Sequence, residues 1–192
     1  MSRERIVEIL KGSDAFLEGH FLLTSGKHSN GYVQCAKVLR HPEYAEEIIG
    51  YVIEQIKNLD IDIIVGPAMG GVIVAYEMGR QMKKEAIFTE RVDREMKLRR
   101  GFEIPKGANV LIAEDVVTTG KSTLEAKKII ESLGGKVMAA ACMVDRRSQD
   151  QELDFPVYAA IKLDIATYDS ESCPICKEGI ELVKPGSRKL KV

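Results

Sequence analysis

Tryptophan is missing from the chain altogether, aromatic residues make up 6% of it, and the formal net charge is -1. Such a chain has neither the positive excess nor the aromatic-basic surface that attraction to nucleic acid or a membrane face requires. Long apolar runs are lacking too, and none could cross a bilayer. The cysteines, Cys35, Cys142, Cys173 and Cys176, do not suggest a disulfide framework, so a reducing cytoplasm is the expected compartment. Arg3, Glu4, Arg5 and Glu8 break up the region where a signal peptide would carry its apolar core. Internal repeats and low-complexity segments are likewise missing.

What is there is a chain of 192 residues, 45% hydrophobic and 30% charged, long enough for one domain with a proper core. Residues 3–11 predict a short amphipathic helix with Ile6, Ile9 and Leu10 inward. Residues 19–34 read as a hairpin or irregular ribbon around polar turn residues. Pro42 suits the first turn of a helix whose buried face is Ile48, Ile49, Val52, Ile53 and Ile56. From residue 61 strands alternate with helices: Ile61–Val65, a helix from Val72 to about Lys83, Ala86–Glu90, a central strand, its helix, Val137–Val144 and Val157–Ile161. This alternation predicts an α/β fold, a doubly wound parallel sheet with helices on both faces. Ligands of such sheets sit beyond the carboxyl ends of the strands.

Val110–Ser122 organises the rest. Four apolar residues lead into Glu114 and Asp115, placed where the strand should end. Val116 and Val117 follow, then Thr118, Thr119, Gly120, Lys121 and Ser122, and then a helix with Ala126, Ile129, Ile130 and Leu133 on one face. Free amides at a helix start, with the helix dipole behind them, hold a phosphate. The carboxylates would repel that phosphate; they suit ribose hydroxyls or a divalent cation. A Walker A loop needs glycine where Asp115 stands, so that motif fails.

A second glycine-bearing turn, Gly66–Gly71, lets the backbone of Ala68, Met69, Gly70 and Gly71 approach a second anion. Its glycine spacing is not that of a dinucleotide fingerprint. Residues 91–107 carry Arg91, Arg94, Lys97, Arg99 and Arg100 and show no clear period; they read as a solvated face or as a mobile lid that closes over a polyanion. Arg146 follows a strand end at Asp145, where a forked guanidinium suits a planar carboxylate. Cys173-Pro174-Ile175-Cys176 has knuckle spacing, but a structural zinc needs four ligands and no second pair is evident. Two reduced thiols in a tight turn are the preferred reading, a metal shared across a dimer the alternative. His20, His28 and His41 are not ligand-spaced and read as surface or hydrogen-bonding residues.

The stretch from the apolar strand through Glu114-Asp115 to Thr118-Thr119-Gly120 resembles the phosphoribosyl-diphosphate motif of type I phosphoribosyltransferases. The flanks resemble the orotate branch of that family: Gly19-His20-Phe21 to Tyr32-Val33, Val144-Asp145-Arg146, and Cys173-Pro174 through Lys184-Pro185-Gly186-Ser187-Arg188. This resemblance spans nearly the whole chain. It implies a single domain, 1–192, in which 1–40 and the C-terminal tail form a hood, 60–165 the core sheet and 91–107 the lid. It implies transfer of ribose 5-phosphate from phosphoribosyl diphosphate to orotate in pyrimidine biosynthesis, with Mg²⁺ and a homodimer whose lids reach the partner's site. It places the donor on Arg91 and Glu114–Ser122, orotate on Thr118, Arg146, Tyr32 and Val33, and lid chemistry on Lys97, Arg99 and Arg100. It implies Mg²⁺ held mainly by substrate, and no nucleophile of the Ser-His or Cys-His type. The chain departs from the better-known pattern at Met69-Gly70, at Thr24 and in the order of lid cations. A purine or uracil phosphoribosyltransferase shares the central motif but has no use for Arg146 as a carboxylate partner. A regulator that keeps the fold to sense phosphoribosyl diphosphate is the other alternative.

Overall fold

Five apolar runs too short for helices pair side by side and leave their polar ends at one edge. In the computed structural model, which describes residues 1–23, 25–148 and 151–185, the elements in chain order are α1 (Arg3–Gly12), β1 (Phe16–Leu22), β2 (His28–Val33), α2 (Ala36–Leu39), α3 (Pro42–Ile56), β3 (Ile63–Pro67), α4 (Gly70–Met82), β4 (Glu85–Val92), β5 (Glu95–Leu98), β6 (Asn109–Val117), α5 (Lys121–Ser132), β7 (Lys136–Asp145), β8 (Val157–Lys162), β9 (Thr167–Tyr168) and α6 (Pro174–Lys177). Gly186-Ser187-Arg188, which carry part of the resemblance, and Thr24, where the chain departs from it, lie outside the described residues.

The main sheet has the order β5-β4-β3-β6-β7-β8, parallel except for β5. From β3 the chain steps outward to β4, then returns to lay β6 on the other side of β3. The carboxyl ends of β3 and β6 therefore flank the point where the winding reverses, and a crevice opens there.

Along β6 the side chains alternate between two cores. Leu111 and Ala113 join α1, α3 and α4 through Ile9, Ile48, Ile49, Val52, Val74 and Met78. Val110 and Ile112 face the other way, onto Ala126 and Ile130 of α5 and onto Ile104. A strand covered on both faces must be apolar throughout, which explains why the run Val110–Ala113 shows no alternation of its own. The expected doubly wound sheet with helices on both faces is what forms.

Two local expectations change. The central strand does not stop at the acidic pair: it stays paired with β7 through Val116↔Val144 and Val117↔Asp145, so Glu114 and Asp115 lie within its last turn of ladder. Backbone pairing outweighs the low strand preference of the carboxylates. Residues 91–98 are not aperiodic either. Val92↔Glu95 closes a hairpin between β4 and β5 with Asp93 and Arg94 at φ 52° and 69°. Both central residues of that tight turn are left-handed, as a two-residue hairpin loop needs. Leu98 and Phe102 anchor the segment on the α5 core, Phe102 edge-on to Phe88 at 5.1 Å between ring centres.

The hood is a separate small sheet. β1 and β2 run antiparallel, β9 pairs with β2, and Val183 bridges to Phe21. N-terminal and C-terminal segments thus build it together.

Ile130 is fully buried between α5 and the sheet. Ile130→Ala should lower stability by about 2–5 kcal/mol through the lost contacts and residual cavity. Urea unfolding checks this, with a shifted midpoint and an unchanged slope.

Candidate active site

The turn from β6 into α5 is shaped by Gly120, whose φ of 70° favours glycine and whose Cβ would lie 2.9 Å from Leu153. Being glycine, it gives α5 no side-chain cap. The Thr119 hydroxyl accepts from the Lys121 amide at 3.4 Å, and the other first-turn amides open onto a notch of about 50 Å³ lined by Glu114 and residues 116–123. That volume suits one phosphate group. Orphan amides and the positive end of the α5 dipole supply the attraction.

The loop after β3 is pressed against the acidic pair. A Cβ on Gly70 would sit 2.2 Å from Asp115 Oδ2, and one on Gly71 would sit 2.7 Å from the Ala113 carbonyl and 3.3 Å from Glu114 Oε2. Only glycine lets these two turns close on each other. Ala68–Gly71 and Glu114–Ser122 are thereby brought together. Met69 points outward and is 85% exposed.

Neither carboxylate has a cationic neighbour among the described residues. Burial pushes Glu114 up to about 8, and the neighbouring Asp115 adds to it. Burial also raises Asp115, opposed by the Val116 amide, which donates to Oδ1 at 2.8 Å. Two acids kept dry without counter-charge form a donor set that fits a divalent cation or hydroxyl groups.

Beyond Thr118 and Thr119 the notch widens into a cleft of about 560 Å³, walled by Arg146, Lys27, Asp164, Ile165 and Thr167 among others. This falls in the range of small-molecule sites. The two arginines there are handled differently. Arg147 forks Asp145, with Nε 3.0 Å from Oδ1 and Nη2 2.9 Å from Oδ2. Arg146 has its Nε buried with no partner among the described residues, and loss of water lowers its pKa. A desolvated, unpaired guanidinium is an anion receptor.

Tyr32 lies close enough to Arg146 to act on its charge and packs on Phe21. Val33 does not reach the cleft: its side chain is in the main core, since neighbouring strand residues point to opposite faces. The lid cations are not gathered at the site either. Arg91 pairs with Glu125 of α5, Lys97 with Glu95 at 3.1 Å, and Arg99 and Arg100 share Glu90 at 3.6 and 3.1 Å. None of the four lines the notch or the cleft of this chain.

Reading the residues in order misses Lys27, Asp164, Ile165 and Thr167. Lys27 stood inside the polar ribbon turn, and its ion pair with Asp169 at 3.1 Å needs the folded tail. The histidine and cysteine assignments need correcting as well. His20, His28, Cys173 and Cys176 cluster with all four ligand atoms within 4.8 Å of one another. The second pair of ligands exists, and it is made of histidines that only the hood brings to the cysteines.

The notch at the winding reversal, the acidic pair and the adjoining cleft with Arg146 lie together at one edge of the sheet, an arrangement compatible with a phosphoribosyltransferase. The model of the phosphoribosyl transferase domain matches residues 35–173. Orotate phosphoribosyltransferase of Caldanaerobacter subterraneus subsp. tengcongensis is 51% identical over 192 residues, covering 99% of this chain and 100% of that protein. The chain belongs to the phosphoribosyltransferase family and, within it, to the orotate phosphoribosyltransferases. Solved structures with the same fold include orotate phosphoribosyltransferase from Aeropyrum pernix, at TM-score 0.71 and 22% identity over 82% of this chain and 93% of that one. Adenine phosphoribosyltransferase from Saccharomyces cerevisiae also matches, at TM-score 0.63 and 16% identity over 81% of this chain and 99% of that one. The fold is thus common to enzymes named for different bases.

Glu114 keeps its proton to about 8 in the folded chain, well above an unfolded glutamate. Between those two values the folded state binds more protons, so stability falls as pH rises through the window. Glu114→Gln, neutral throughout, removes that fall. Ligand-free variant and parent should unfold alike near pH 4, and the variant should gain on the order of 3 kcal/mol near pH 8.5. Urea denaturation across pH measures the difference.

Proposed function

We propose that this chain transfers ribose 5-phosphate from 5-phospho-α-D-ribose 1-diphosphate to N1 of orotate, giving orotidine 5′-phosphate and diphosphate, in pyrimidine biosynthesis. The observation that carries the choice of base is Arg146: an unpartnered, part-buried guanidinium in the cleft next to the phosphate notch. Orotate brings the carboxylate that such a group lacks; adenine and uracil do not.

Amides of Thr118–Ser122 hold the 5′-phosphate. Glu114 and Asp115 accept from the ribose hydroxyls, and the backbone of Ala68–Gly71 faces the diphosphate. Mg²⁺, held mainly by substrate, would sit beside Glu114 and Asp115 and would supply charge compensation for the leaving group. Arg146 orients orotate so that N1 faces the anomeric carbon, and Tyr32 flanks that side. Bond breaking at C1 leaves an oxocarbenium-like sugar, which the nearby carboxylates stabilise. Orotate is already an anion, so no strong base is needed, and positioning does most of the work. Lys97, Arg99 and Arg100, paired within their own hairpin here, act on the partner's site in a homodimer, with Arg91 braced on α5. No nucleic acid or membrane takes part, and the enzyme works in the cytoplasm. No helix among the described residues is long and apolar enough to cross a membrane.

Purified protein, donor and Mg²⁺ are mixed with each base in turn. Orotate should be consumed, seen as a fall in its ultraviolet absorbance, while adenine, hypoxanthine and uracil persist; turnover of one of these in place of orotate would reject the assignment. Arg146→Ala should raise KM for orotate about 10- to 100-fold, the worth of a charged hydrogen bond, with KM for the donor changed less than about twofold. Equal effects on both constants would remove Arg146 from the orotate subsite.

A further inference from the structure

His20 comes from β1, His28 from β2, and Cys173 and Cys176 bracket the start of α6. His20 and Cys173 are 153 residues apart in the chain. Their ligand atoms are His20 Nε2, His28 Nδ1 and the two Sγ atoms. The separations are 2.9 Å between the nitrogens, 3.5 and 3.7 Å from His20 Nε2 to the Sγ of Cys173 and of Cys176, and 3.3 Å from His28 Nδ1 to Cys176 Sγ. Zinc–nitrogen and zinc–sulfur bonds of normal length set the edges of a tetrahedron at about 3.4 Å for N···N and about 3.6 Å for N···S. These four edges come close to that tetrahedron, and all four ligand atoms lie within 4.8 Å of one another, near enough for small side-chain adjustments to complete it.

We propose that these four residues form a structural zinc centre that fastens the hood. The chemistry of the set supports zinc: two imidazoles and two thiolates in tetrahedral array suit that ion better than magnesium or calcium, which take oxygen ligands. The outer contacts support it too. His20 Nδ1 lies 2.8 Å from the Ile180 carbonyl, and only an N–H can donate there. The neutral ring then turns its Nε2 lone pair inward, the arrangement that second-shell carbonyls impose on metal-bound histidines. His20, His28 and Cys173 are buried, while Cys176 is exposed and gives the ion its way in. Four protein ligands leave no open position, so the centre is structural and takes no part in the reaction.

The ion would tie three segments that otherwise hold each other weakly. β1 and β2 carry the ribbon turn whose Leu23, Ser25 and Lys27 wall the cleft, and the cysteine turn belongs to the tail that supplies Thr167. A ribbon of this size is marginal by itself. A metal that closes so long a stretch of chain constrains the unfolded state strongly.

The full chain, purified without a histidine tag and dialysed against metal-free buffer, is measured for metals by plasma mass spectrometry. About one zinc per chain is expected. Cys176→Ser should lose most of it, and His41→Asn, at a histidine outside the cluster, should keep it. Cobalt(II) added to the chelator-stripped protein should give the intense visible bands of a tetrahedral site and thiolate charge transfer, both weakened in Cys176→Ser. Chelation should raise amide exchange in residues 16–22 and 28–33 at least about tenfold relative to β6. A folded parent that carries no metal and gives no tetrahedral cobalt spectrum overturns the proposal. So does a Cys173–Cys176 disulfide in the freshly purified protein, or iron or copper in place of zinc. The parent's metal content decides the matter even if Cys176→Ser fails to fold.

Discussion

Everything at the site depends on two turns touching: the glycines after β3 lie against the carboxylates at the end of β6. Asp115 occupies the space that a side chain on Gly70 would need, and Gly71 backs onto the Ala113 carbonyl beside Glu114. This contact is possible only because β3 and β6 are neighbours in a parallel sheet whose register brings the end of β3 level with the acidic pair. The winding reversal supplies the crevice, and the glycines let it close to the width of a phosphosugar. In exchange the chain keeps two carboxyl groups dry without a counter-ion. That is a cost to the ligand-free fold which a hydroxylated, metal-bearing ligand relieves.

Charge is sorted around that contact by pairing. Several cations near the sheet edge are spent on their own neighbours: Arg147 on Asp145, Arg99 and Arg100 on Glu90, and Lys27 on Asp169. Of the Asp145-Arg146-Arg147 run, Arg146 is part-buried and its Nε has no partner among the described residues. The aspartate before it matters as much as the arginine itself. By taking Arg147, it prevents two adjacent guanidiniums from competing for one ligand and leaves a single charge of fixed direction. The exposed pairs of the lid hairpin are worth little each, about 0–1 kcal/mol, so they are easily exchanged for phosphate contacts when a polyanion arrives.

How much of this can be read before folding depends on how local the determinant is. The β6–α5 turn is legible because strand, carboxylates, glycine and helix face follow one another within a short stretch, and the backbone does the binding. The alternation from residue 61 onward yields the parallel sheet for the same reason. The lid hairpin escapes because its turn is Asp93-Arg94, not a glycine-bearing pair, so left-handed backbone is imposed there by the pairing of β4 with β5. Val33 is misplaced by one residue of strand alternation, which sends it to the core while Tyr32 faces the cleft side. Lys27 and Ile165 reach the cleft only through a sheet made from both ends of the chain. No spacing rule joins residues so far apart.

The hood poses the harder physical problem. It must cover a cleft deep enough to strip water from Arg146, yet β9 has only two residues, Thr167 and Tyr168, and the tail's backbone pairing with β1 consists of two bonds at Val183, 2.8 and 2.9 Å long, beside the His20 contact with Ile180. Such a sheet is marginal by itself. Phe21 and Val33 reach the interior from it, but His20, His28 and Ser29 are polar and buried as well. Polar groups in that position destabilise unless each finds a partner, and Ser29 does so through the Gly31 and Ala166 carbonyls, both at 2.9 Å. The two imidazoles find one another and two sulfurs. A cluster of soft, neutral-to-anionic donors converging on one point has no apolar substitute, and a cation at that point turns the weakest part of the fold into a crosslink. The hood can then remain thin, and the cleft beneath it can stay open to substrate at its rim while its wall stays in place.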